Sequence, residues 1–347
     1  MRTFIFIVFL FIQAFTVRLY SQQLKDASGA FVFPDSVTVK QDGSGNFKTI
    51  QAAVNAVRDL GQKRVFILIK NGVYHEKLIV PSWKTNISLE GESRDSTIIT
   101  NSDYSGKLYA NGPDAFGRDK FNTYTSYTVL VQGNGFVAEN ITIENTAGRV
   151  GQAVALHIEA DRAIIKNCKL LGNQDTLYTA TGNSRQYFVD CYIEGTTDFI
   201  FGEATVYFEN CTIKSLTDSY VTAAATTKFQ TYGFVLAKCK LVADTSLKKV
   251  YLGRPWRPYA KTVFIECQLG NQFLPEGWDP WKGDAMFPDK EKTAFYAEYN
   301  SGGPGAAAKS RVPWSKQLTS KESRQYNIQN ILKGTDNWNP LEYLQQK

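Results

Sequence analysis

Short runs of alternating polar and apolar residues recur along the chain. The tetrads NCKL (167–170), DCYI (190–193), NCTI (210–213), KCKL (238–241) and ECQL (266–269) share one polar–apolar–polar–apolar frame. Their cysteines follow one another at 23, 20, 28 and 28 residues. NITI (140–143) and NISL (86–89) fit the frame with Ile in place of Cys; Ile141 precedes Cys168 by 27 residues, and Ile87 precedes Ile141 by twice that. Each copy follows another short apolar run, such as RAIIK, QYFV, TVYF, GFVL or TVFI. A supersecondary unit repeated at this period cannot bury its apolar face alone and must stack on its neighbours. The pattern predicts an all-β chain, a right-handed parallel β-helix. Its coils stack at about 4.8 Å, with the Cys and Ile positions as an inward ladder.

A solenoid needs its ends covered. The stretch TIQAAVNAVRDLG (49–61) predicts an N-terminal capping helix, with Thr49 as N-cap, Ile50, Ala53, Val54 and Val57 buried, and Gly61 as the stop. Near the other end, TSKESRQYNIQNILKG carries a capping box, Thr319 with Glu322, and an apolar stripe through Tyr326 and Ile331. The segment NSGGPGAAAKS (300–310) reads as a loop joining the solenoid to this helical tail. Residues 1–21, MRTFIFIVFLFIQAFTVRLYS, have the basic start, short apolar stretch and small residue of a secretory signal. That leaves 22–347 as a single β-helix domain, exported to the periplasm or the medium without a membrane anchor.

Composition adds limits. The hydrophobic share of 43% allows a large core, and 13% aromatic residues favour strands and stacking surfaces. Net charge is +6, or +4 once Arg2 and Arg18 leave with the signal, and no Lys/Arg run of nucleic-acid type is present. A mild basic bias suits either a solvated surface or a polyanionic substrate. Five cysteines form no C-x-x-C, and His75 and His157 are the two histidines, a poor set for zinc. The cysteines are an apolar core stack or, where coils bring two together in an oxidising compartment, a bridge; Cys191 and Cys211 are the candidate pair.

The candidate chemistry follows the cysteines. Seven residues after Cys168, Cys191 and Cys211 stand Asp175, Asp198 and Asp218. Equal offsets on stacked coils put Asp175 and Asp198 roughly 5 Å apart, one inter-strand spacing. Asp218 either continues the row or braces a turn. Two desolvated carboxylates at that distance cannot both ionise freely, which yields one carboxylate and one acid. A retaining glycosidase would use the same separation. Gln174 adjoins Asp175, and Gln152 lies 22 residues before Gln174, so two amide donors share the face. Such donors suit the oxyanion of an ester hydrolase. In YLGRPWRPY (251–259), Arg254 is a cation able to hold one carboxylate ionised, and Trp256 a flat face for a sugar ring. No G-x-S-x-G is present for a serine hydrolase.

In order and spacing, DGSGNFKTIQAAV (42–54), GQAVAL (151–156), GNQDTLY (172–178), GTTDFIFG (195–202) and LGRPW (252–256) resemble the pectin methylesterase family over about 42–300. The short loops and NQDTLY look more like its bacterial members. The resemblance implies a right-handed parallel β-helix that hydrolyses C6 methyl esters of polygalacturonate, with neither cofactor nor metal, as a monomer. It implies Asp198 as nucleophile, Asp175 as general acid and then base, Gln152 and Gln174 as oxyanion donors, and Arg254 as the partner of Asp198. Trp256, Phe201 and Tyr259 would line sugar subsites. In some bacterial members a disulfide falls at the positions of Cys191 and Cys211. The segment DAFGRDKFNTYTSYT (114–128) stands out as an insertion-like loop shaping the cleft, and VTAAATT (221–227) lacks the Gln-Gly-Arg frequent in plant members. A lyase on the same scaffold would need a calcium-binding carboxylate cluster, which the sequence does not show. A non-catalytic pectin-binding solenoid would have no need of the Asp, Gln and Arg set.

Overall fold

A computed structural model describes Gly29 and residues 33–345; the signal segment 1–21 lies outside the described residues. The chain winds through three parallel sheets of eleven, eight and seven strands. One coil shows the plan: Arg185–Val189 joins the eleven-stranded sheet, Tyr192–Gly195 the eight-stranded sheet and Ile200–Gly202 the seven-stranded sheet. Its neighbours pair in register, Phe188 with Phe208 and Ile193 with Ile213. This is a parallel β-helix.

The repeated tetrad makes the corner between the first two sheets. Its leading polar residue is in the left-handed region at Asn140, Asn167, Asp190, Asn210, Lys238 and Glu266, with φ between 47° and 57°; NISL shares the pattern but not the place, since Ile87–Gly91 lies in the eleven-stranded sheet and pairs with the strand before NITI. Asn and Asp tolerate that conformation best, which explains their prevalence at the site. Side chains bond along the row, as Asn167 Nδ2 donates to Asn140 Oδ1 at 2.6 Å. The second residue then points inward: Ile141 and all five cysteines are buried. Behind them Phe188 and Phe208 stack at 4.9 Å. Fully burying side chains of this size contributes roughly 1.5–3 kcal/mol each.

The cysteine row is a core stack and contains no bridge. Cys191 and Cys211 are both free thiols. Each faces main-chain oxygens instead. Cys191 Sγ lies 3.3 Å from the carbonyls of Ile165 and Val189, and Cys211 Sγ 3.4 Å from that of Glu209. The inward ladder thus satisfies each weak donor against its own corner.

The N-terminal helix is shorter than its pattern suggested. It runs Ile50–Ala56, with Thr49 accepting from Ala52 N as N-cap. Val57 is already extended, so Gly61 does not stop it. The capping box at Thr319 and Glu322 forms, but the tail breaks into Ser320–Ser323 and Ile328–Leu332. No helix among the described residues is long and apolar enough to cross a membrane.

Candidate active site

The turn leading into the seven-stranded sheet positions the chemistry. Leu177 pairs with Ile200, so Asp175 and Asp198, each two residues earlier, occupy equivalent places on adjacent coils. Asp175 N donates to Thr197 O and Asp198 N to Tyr220 O. Both aspartates hold left-handed φ values, 65° and 48°. Such conformations cost of order 1–3 kcal/mol and persist where packing over-determines them. Here Gly195 lets the turn close: a Cβ there would come within 2.2 Å of Phe199 Cβ.

Asp218 does not continue the row. Ile200 pairs with Thr222, so Tyr220 takes the place equivalent to Asp198. The next coil has a longer turn, and the seven-residue offset loses its meaning there. Asp218 is exposed and accepts from the backbone N–H groups of Lys248 and Lys249, both at 2.8 Å, as a turn brace.

A cavity of about 400 Å3 opens over the pair, lined by Gln152, Gln174, Asp175, Asp198, Phe201, Arg254 and Trp256. Gln152 and Gln174 form a parallel bridge on neighbouring coils. Arg254 grips Asp198 with both arms of its guanidinium, Nε to Oδ1 at 2.9 Å and Nη2 to Oδ2 at 2.6 Å. Its Cζ sits 3.9 Å from the Tyr220 ring centroid and 3.6 Å from that of Trp281, a sandwich that fixes the plane of the fork. Phe201 stacks on Tyr178 at 4.6 Å and meets Trp256 edge-on at 5.8 Å, giving the cavity an aromatic wall.

The two carboxyl groups are held differently. Burial and then the charge of Asp198 push the Asp175 carboxyl well above the usual carboxylate range. Burial raises Asp198 as well, and the Arg254 hydrogen bonds and charge offset part of that rise. Asp175 therefore holds its proton more tightly than the Arg254-held Asp198. Among the described residues no group of three or more His, Cys, Asp or Glu could hold a metal ion.

Tyr259 is not among the residues lining this cavity; it is exposed on the loop beyond Trp256. The cavity also contains residues that motif spacing did not reveal. Thr123 and Tyr124 reach it from the loop at 114–128, and Arg257 and Trp281 from loops further along the chain. Trp281 stands in GWDPWKG, an aromatic and Gly cluster outside the repeat, and that was its one signal in the sequence.

Comparison with known proteins agrees with this fold. The family model described as Pectinesterase matches residues 36–335. A protein of Arabidopsis thaliana named as a pectinesterase/pectinesterase inhibitor is 38% identical over 314 residues; the match covers 86% of this chain and 48% of that protein, so the chain spans about half its length. The solved pectin methylesterase from carrot superposes with a TM-score of 0.77 at 37% identity, covering 88% of this chain and 95% of its own. The pectin methylesterase from Erwinia chrysanthemi gives 0.76 at 31% identity, covering 90% and 99%. Matched along almost all of its solenoid by plant and bacterial proteins alike, the chain belongs to the pectinesterase family.

Proposed function

We propose that this protein hydrolyses the C6 methyl esters of galacturonate units in pectin and releases methanol. One observation carries the proposal: two buried aspartates, Asp198 and Asp175, lie on adjacent coils under one cavity, with an arginine on the first and two glutamines beside them. The family and the named activity of the carrot and Erwinia chrysanthemi structures support it. The likeness extends to plant and bacterial members, the plant ones at higher identity, so it is not specifically bacterial.

Asp198 attacks the ester carbonyl carbon. Arg254 occupies one lone pair on each oxygen and leaves another for attack. The amides of Gln152 and Gln174 donate to the oxygen that becomes negative, as the tetrahedral intermediate needs. Collapse breaks the carbon–methoxy bond, and Asp175 gives its proton to the leaving group, which departs as methanol. An anhydride now joins the galacturonyl carbon to Asp198. The Asp175 carboxylate takes a proton from water, and the resulting hydroxide attacks the same carbon. Asp198 is released as a carboxylate, Asp175 is again protonated, and the freed sugar carboxylic acid gives its proton to solvent and leaves as galacturonate. Trp256 and Phe201 offer faces for the sugar rings, and the modest net positive charge favours a polyanion. Export by way of residues 1–21 and action as a monomer belong to the same reading.

The decisive assay measures methanol from highly methylated pectin together with chain length. Methanol release at constant chain length, insensitive to chelators, supports esterase action; chain shortening would instead mark a glycosidase or lyase. Asp198→Asn should lower methanol release by about 10⁴-fold or more with the fold intact. A variant that kept near-normal release would refute the nucleophile.

A further inference from the structure

The loop that carries Trp281 contains a buried cation. Lys290 has a side chain with no solvent exposure. Its ammonium bonds to Asp284 Oδ2 at 2.7 Å and reaches the backbone oxygen of Trp256 at 3.4 Å. It also lies 4.3 Å from the centroid of the Trp281 ring, the same ring that stacks on Arg254 at 3.6 Å. Two cations therefore share one indole, and one of them holds Asp198. Lysine is almost never fully buried without such a set of partners, and removing one member of a buried pair leaves the other uncompensated. Lys290 also touches both tryptophans of the site, Trp281 through its ring and Trp256 through its main chain.

We propose that Lys290, anchored by Asp284, is a positioning residue for the reaction: it seats Trp281 against the Arg254 guanidinium and so fixes the fork that orients Asp198. This rests on the reading of Asp198 as nucleophile. The ring sets the plane of the guanidinium, and the plane sets the bidentate bond. A loosened ring lets the fork rotate, and the carboxylate loses its aim without losing its charge partner. Lys290 also adds a second positive charge at Asp198. The ionisable groups facing Asp198 are Asp175, Asp279, Arg254 and Lys290, with the half-buried phenol of Tyr220 and the buried phenol of Tyr296 nearby.

The test compares Lys290→Met, Lys290→Arg and Asp198→Asn in methanol release across pH. Lys290→Met should lower kcat by about tenfold while KM moves less than about threefold, the signature of an interaction realised in the transition state. The acidic limb of its kcat profile should move to higher pH, because Asp198 loses a positive neighbour and must ionise against burial. Lys290→Arg should restore most of kcat and the limb. A folded Lys290→Met with unchanged kcat and acidic limb overturns the proposal. So does an effect confined to KM, which would make Lys290 a substrate contact. Should Lys290→Met fail to fold, Asp284→Asn carries the test: a fall in kcat of about threefold or more is expected, and an unchanged kcat overturns it. If Asp198→Asn keeps its activity, the nucleophile reading fails; if Asp198→Asn is inactive and the Lys290 variants are silent, only the present inference fails.

Discussion

Asp175→Asn should destroy activity and stabilise the fold, by an amount that grows with pH. The substitution keeps size and shape, and Asn accepts the left-handed backbone at φ 65° as readily as Asp. In the folded protein the Asp175 carboxyl titrates well above its ordinary range because it is buried and faces Asp198. In the unfolded chain it titrates at about 3.9. Between those two values the native state holds a proton that the unfolded state has released. Stability falls as pH rises through that window, by about 1.4 kcal/mol per pH unit for one such proton. Below the unfolded value both states are protonated and nothing is lost; above the folded value the full loss is present. Asn has no proton to lose, so the variant escapes the slope. Thermal unfolding of both proteins from about pH 4 to about pH 8 reads the effect, while methanol release should fall by about 10²–10⁴-fold. The melting temperatures should lie closest at the acid end and diverge in favour of the Asp175→Asn variant as pH rises. A difference that narrows with rising pH, or a variant that still releases methanol at the parent rate, would refute the protonated-acid assignment.

Other substitutions test the remaining parts. Gln152→Ala and Gln174→Ala should each lower kcat by about 10²–10³-fold; a loss below about threefold in both would remove the oxyanion role. Arg254→Lys keeps the charge but loses the two-armed bond and the stack between Tyr220 and Trp281. Its kcat should fall by about tenfold or more, and its acidic limb should rise in pH because burial then dominates Asp198. Thiol titration of denatured, unreduced protein should find all five cysteines, and the native protein should react slowly since all are buried; three thiols would show that one pair had joined, and peptide mapping would tell whether it is Cys191 with Cys211.

Much of the scaffold was legible because a solenoid repeats one local solution. The Asn and Asp that lead most of the tetrads are there to turn the backbone, and the Cys or Ile after them to fill the corner, whereas NISL carries the same pattern inside the eleven-stranded sheet. Spacing alone misread places where the repeat changes length. The turn before Tyr220 is longer, so Asp218 shares an offset from its cysteine with Asp175 and Asp198 but not a place in the sheet. The N-terminal helix kept its cap and buried face yet ended at Ala56, since Val57 turns extended before Gly61 is reached.

The sequence by itself determined the coil, its inward ladder and the address of Asp175, Asp198, Gln152 and Gln174, because period and register are properties of neighbouring residues. Only the tertiary structure decided how the two carboxyls are held, since that depends on burial and on the reach of Arg254, 56 residues beyond Asp198, whose fork offsets part of the rise at Asp198 but leaves Asp175 well above the usual carboxylate range. It also decided what surrounds them. Tyr124, Trp281 and Lys290 reach the site from loops outside the repeat, where no periodicity constrains position. Their contribution arises from desolvation and close packing, which exist only once the coils have stacked.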